Sequence, residues 1–147
     1  MIASLLKRLM APSPAELPAT DARIALAALL VRIARSDGDY AEVEIEQIRR
    51  VLARRYGLDK GAVGDLLMVA ENLERDAPDT VRFTRAIKDA VPYEERTGVV
   101  RAAWAVVLAD GERSREENAL MRLIASLLGV NDRDSAIARH RAERETG

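Results

Sequence analysis

The residues best suited to chemistry sit in two short acidic stretches. The first reads Ser36-Asp37-Gly38-Asp39, with Glu44 downstream. The second reads Ala109-Asp110-Gly111-Glu112, with Glu117 in the same register and Glu116 beside it. Carboxylate oxygens gathered in this way suit a hard divalent cation such as calcium, magnesium or manganese. Neither stretch is an EF-hand. With Gly38 at the turn position of such a loop, Asp37 and Glu44 take the fifth and twelfth places, but the first and third become Ile33 and Arg35. Around Gly111 those places fall to Val106 and Leu108, and a calcium loop needs oxygen ligands there. A cation site therefore requires the two turns to meet, pooling Asp37, Asp39, Glu44, Asp110, Glu112 and Glu117. The competing reading is structural. Asp-Gly is ordinary turn chemistry, and a Glu early in a helix is favourable; spacing alone favours capping over ligation.

An Asp at the end of a helix also faces the negative pole of the helix dipole, an arrangement that costs up to about 1 kcal/mol. Local backbone N–H groups, a nearby Arg (32, 35, 101, 113 or 115) or a cation would offset it. Other chemistries find no residues here. The chain has no cysteine and a single histidine, His140, in a polar region, which removes thiol catalysis and a typical zinc site. No phosphate-cradling glycine loop or activated nucleophile is present, so no enzyme activity is expected. Arg49, Arg50, Arg54 and Arg55 form a basic strip, but Glu42, Glu44 and Glu46 share that helix. The strip reads as a charge-paired solvated face, and no nucleic-acid partner is expected.

The elements that must position the acidic turns read as helices throughout. Of the 147 residues 48% are hydrophobic and only 3% aromatic, so the core must be built from Ala, Leu, Val and Ile. Arg23–Ala34 is apolar on nearly every side, the signature of a buried helix, with Thr20 or Asp21 as its cap. A helix from about Ala41 to Tyr56 follows, with Glu46 and Arg50 as an i,i+4 pair and Gly57 as C-cap. Asp59 caps a helix carrying Val63, Leu66, Leu67, Ala70 and Leu73; Asp79 starts another with Val81, Phe83 and Ile87. After Pro92 a second buried helix spans Val99–Leu108 and includes Trp104, which with Phe83 reads as a core anchor. Ser114 and Glu117 form a capping box before Leu120, Met121, Ile124, Leu127 and Leu128. Asn131–Arg144 is a polar helical tail. No strand-period stretch occurs. The expectation is an all-α single-domain bundle of about seven or eight helices, with residues 1–19 as a short amphipathic helix and Pro-rich linker and 20–147 as the helical domain.

The two acidic stretches belong to an internal repeat. Each follows a buried helix and precedes an amphipathic one, and Tyr56-Gly57-Leu58 is mirrored by Leu128-Gly129-Val130 with one residue fewer between. A pseudo-two-fold bundle centred on the two buried helices is implied. Over roughly Arg23–Arg139 the sequence resembles the TerB-like tellurite-resistance family. The resemblance is carried by both Asp-Gly turns with their downstream Glu, by Phe83-Thr84-Arg85, Glu94-Glu95-Arg96 and Trp104, and by Ala109-Asp110-Gly111. Ser36, Tyr40 and Arg113 depart from the residues such sequences favour. The resemblance implies an all-helical fold with internal pseudo-symmetry, a role in bacterial tellurite or stress resistance, and metal binding through clustered carboxylates. An ion-free helical interaction module is the alternative; its acidic surface would dock a basic protein partner such as a membrane complex, with weak membrane-surface contact through residues 1–10. A cytoplasmic location is expected, since no segment is long enough to span a bilayer.

Overall fold

Two helices with almost no polar surface organise the chain. The computed structural model describes residues 19–36, 38–77, 80–110 and 115–146. The expected helix at 1–10, the Pro-rich linker up to residue 18, and the cap residues Asp79 and Ser114 lie outside these. Among the described residues there are seven α-helices and no strand. They are α1 (Ala19–Arg35), α2 (Glu42–Tyr56), α3 (Lys60–Asp76), α4 (Val81–Ala90), α5 (Tyr93–Val107), α6 (Arg115–Leu127) and α7 (Asp132–Thr146). In α1, every residue from Ala25 to Val31 is buried, as are Ile33 and Ala34. In α5, Val99, Val100 and the run Ala103–Val107 are buried. Helices apolar on all sides must be covered on all sides, and the other five do this.

The coverage follows a pseudo-two-fold plan. α1 packs against α5 at the centre; α3 covers α1 as α7 covers α5; α2 reaches across to α5 as α6 reaches across to α1. The connections repeat as well. Gly57 and Gly129 end α2 and α6 with left-handed backbone (φ 62° and 74°), which glycine adopts without a Cβ penalty. The next amide reaches back in each case, Leu58 N to Ala53 O at 3.1 Å and Val130 N to Ala125 O at 2.9 Å, as a Schellman turn requires. Asp59 then caps α3 by accepting from Ala62 N at 2.8 Å, and Asn131 caps α7 by accepting from Asp134 N at 2.8 Å. Even the arginines correspond. Arg96 near the start of α5 donates to Leu128 O at the end of α6 (3.0 Å) and to Val91 O (2.9 Å); Arg23 near the start of α1 lies over the Tyr56 ring at the end of α2, 4.8 Å from its centroid. α4 has no described counterpart. It lays Phe83, Ala86 and Ile87 into the core and packs on α1 and α6.

Several expectations change. α1 begins at Ala19, so Thr20 and Asp21 fall inside its first turn rather than capping it. Glu46 pairs with Arg49 at 3.3 Å, while Arg50 bonds Gln47 at 3.0 Å; the expected Glu46–Arg50 pair is absent among the described contacts. The polar tail is a packed helix: α7 seats Ala138 and Ala142 against α5, with Arg139 over the Trp104 ring. Its buried stripe is too narrow and too small in side-chain size to register as an apolar face.

One polar network ties the frame. Arg32 projects from α1 to the end of α3, donating from Nε to Glu74 Oε2 (3.1 Å) and from Nη2 to the carbonyls of Glu74 (3.0 Å) and Ala77 (2.9 Å). Its guanidinium thereby satisfies terminal carbonyls of α3 and stacks on Phe83 of α4, 5.3 Å from the ring centroid. Arg35 holds the other Glu74 oxygen at 3.1 Å. Both arginines, possible partners for Asp37 by sequence, are thus engaged by Glu74. Arg32→Ala leaves a largely buried carboxylate with only one of its two arginines and the Glu74 and Ala77 carbonyls without their donor, and should cost about 3 kcal/mol in urea denaturation. Arg49→Ala breaks an exposed pair and should cost less than about 0.5 kcal/mol; equal losses would refute the assignment of Arg32 as the tie between α1, α3 and α4.

Candidate cation site at the acidic turns

The first turn forms where α1 runs out of apolar residues. Ser36 caps back, its Oγ donating to Ile33 O at 2.7 Å, and Gly38 N reaches Arg35 O at 3.0 Å. Gly38 has φ 85°, which lets the chain reverse without strain. Asp39 is exposed. Tyr40 then folds back onto the α1 and α3 ends: Arg35 lies over its ring at 4.6 Å, and its hydroxyl donates to Glu71 Oε2 at 2.8 Å. Ala41 supplies the N-cap position of α2 without a side-chain bond, and α2 starts.

Glu44 is fully buried at 0% exposure, and Glu117, its counterpart in α6, is 1% exposed. Each stands in the first turn of its helix. Glu44 does not share the solvated face with the arginine strip; it heads the core stripe Glu44, Ile48, Leu52. Glu117 likewise heads Glu117, Met121, Ile124. A signal for this was present in the sequence, since each Glu occupies a place where helical periodicity calls for an apolar residue. Carboxylates are almost never buried without compensation. The positive pole of the helix N-terminus supplies part of it at both sites.

The second turn leaves α5 as a 3-10 turn, Leu108–Asp110, that packs against α2. Ala109 shares a small surface depression with Val43 and Gln47 of α2, so the second turn begins beside the two residues that flank the Glu44 segment. The 3-10 turn thus lies against α2, the helix that carries Glu44. Of the six candidate ligands, Asp39, Glu44 and Glu117 are described. Asp37, Glu112 and the side chain of Asp110 lie outside the described residues. Glu116, the reserve ligand, is exposed. Among the described residues no group of three or more His, Cys, Asp or Glu is arranged to hold a metal.

Residues 23–140 match the family model described as Tellurite resistance protein TerB. The chain belongs to the TerB family. The match runs from α1 into α7 and so takes in both halves of the TerB repeat, both acidic turns included. No curated protein and no solved structure gives a significant match to the chain. No described helix of this TerB protein is long and apolar enough to cross a membrane.

Tyr40 provides a probe of the first turn. Burial, followed by its hydrogen bond to Glu71, raises its phenol well above the ordinary value of about 10. A raised native pKa means that the folded state holds this proton more tightly than the unfolded chain. The associated stability is complete below about pH 10 and is lost as pH rises beyond it. Because a hydrogen bond to Asp134 also raises the Tyr93 phenol, the test is made in a Tyr93→Phe background, where ultraviolet titration should show a late-ionising phenol that disappears when Tyr40→Phe is added. A variant whose phenolate absorbance still rises as late as the parent's would show that Tyr40 is not that group.

Proposed function

We propose that this TerB domain is a non-enzymatic cation-binding module of the bacterial tellurite and stress response, acting in the cytoplasm. Calcium, magnesium or manganese would be held by carboxylate oxygens drawn from Asp37, Asp39, Glu44, Asp110, Glu112 and Glu117. The burial of Glu44 and Glu117 at equivalent places behind the two turns carries this reading. A cation brought to a carboxylate in a low-dielectric interior interacts far more strongly than with one in water. The all-oxygen donor set suits a hard ion. Because each turn joins a central helix to the helix that crosses to the other half, an ion shared by both turns would fix the pose of the two halves.

The test is a cation titration of the metal-free protein, first with calcium and then with manganese. At a free concentration of 100 times Kd, binding stabilises the fold by about 2.7 kcal/mol, which for a chain of this size raises Tm by about 5–10 °C. The amides of Gly38 and Gly111 should shift together with calcium and broaden together with manganese. Asp37→Asn with Asp110→Asn should abolish both responses while leaving the metal-free Tm nearly unchanged. An unchanged Tm and still amides at millimolar cation would refute ion binding and favour an ion-free interaction module.

A further inference from the structure

Among the described residues, the pseudo-two-fold frame has a covering helix, α4, on one side and no counterpart to it on the other. On α1, Ala25, Leu29 and Arg32 lie on one stripe at helical spacing, and Arg32 rests on the ring of Phe83 from α4. Ala25 and Leu29 on that stripe have 0% exposure. Their counterparts on α5 are Gly98, Ala102 and Ala105. No described helix plays the part of α4 for these, and Gly98 and Ala102 are only half-buried. A groove bounded by α2, α5 and α7 results. It comprises two adjoining cavities of about 780 and 300 Å³ that share Arg55, Gly98 and Arg101. Val51, Gly98, Ala102 and Ala105 give it an apolar floor; Arg50, Arg54 and Arg101, the last paired with Glu145 of α7, stand along the edges of the smaller cavity, and Glu94, Glu95 and Asp134 along the larger.

We propose that this groove is the seat of the chain's own N-terminal segment, Met1–Met10, docked as the missing counterpart of α4. Three observations select this occupant. The segment has the right pattern: as a helix it would gather Met1, Ile2, Leu5, Leu6, Leu9 and Met10 on one half of its circumference and Ser4, Lys7 and Arg8 on the other. Its cations would then point away from the arginine edges of the groove. The segment also has the right connection. α4 feeds directly into α5, so its counterpart must feed into α1. The start of α1 arrives at the groove, since Arg23 lies over Tyr56 and Tyr56 lines the larger cavity. Lastly, the tether is long enough. Residues 11–18 span up to about 26 Å when extended, and their three prolines favour an extended course.

The absence of cysteine makes the test direct, because one introduced thiol is a unique labelling site. Ser4→Cys carries a nitroxide on the polar face of the segment. Intrachain docking should erase the amide signals of Val51, Gly98 and Ala102 by paramagnetic broadening, while Phe83 and Ile87 of α4 keep theirs. Reducing the nitroxide should restore the lost signals. Adding Leu6→Glu should also restore them, with the helical signature of the domain unchanged. An equimolar mixture of spin-labelled protein and isotope-labelled unmodified protein should show no broadening; loss in the mixture would overturn the proposal in favour of a second copy as occupant. Intact groove signals in the singly labelled chain, or losses centred elsewhere, would equally overturn it. None of these outcomes depends on cation binding, so the two proposals fail separately.

Discussion

The contact between α1 and α5 is the constraint from which the rest of the molecule follows. Each helix is apolar on nearly all sides, so neither can exist at the surface, and each needs more neighbours than one partner provides. Running them against each other satisfies one face of both. The remaining faces then demand the same kind of cover twice, which is why α2 and α3 around one helix are echoed by α6 and α7 around the other. The duplicated caps at Gly57 and Gly129, and at Asp59 and Asn131, fix the directions of the covering helices. Alanine at many central positions lets the backbones approach closely with little side-chain entropy to lose.

Within this frame polar groups are placed at helix ends, where backbone partners are exposed. Arg32 completes the end of α3, Arg96 the end of α6, and Glu44 and Glu117 occupy helix beginnings. The same rule explains why the acidic turns are candidates for chemistry. They lie where the two buried helices stop and the chain leaves the core.

Much of this was legible in the residues. The two buried helices announced themselves by the absence of a polar face, and the repeat by its paired Asp-Gly and aliphatic-Gly-aliphatic punctuation. Asp59 as a cap and the glycine stops followed from local backbone chemistry. The misses have a common cause. A short-range rule was applied where tertiary packing decided. Glu44 looked like a solvated partner for arginines because its neighbours in sequence are charged, yet its place on the helical stripe sends it inward. Glu46 and Arg50 had the spacing of a pair, but each found a nearer partner. α7 looked polar because a helix can be buried along two alanines and leave most of its long side chains outside.

That alanine seam carries a consequence of its own. α3 and α7 occupy equivalent posts, but α3 is held by Val63, Leu67, Ala70 and Leu73, whereas the buried apolar residues of α7 are Ala138 and Ala142. The free energy of opening a helix locally scales with the apolar area it uncovers. The symmetric outline therefore conceals an uneven ladder of local stabilities, on which α7 stands on a low rung and α3 on a high one. Detachment of the C-terminal helix would leave α5 bare along one flank while α1 stays sheathed. A protein built from two like halves thus has a direction in which it comes apart.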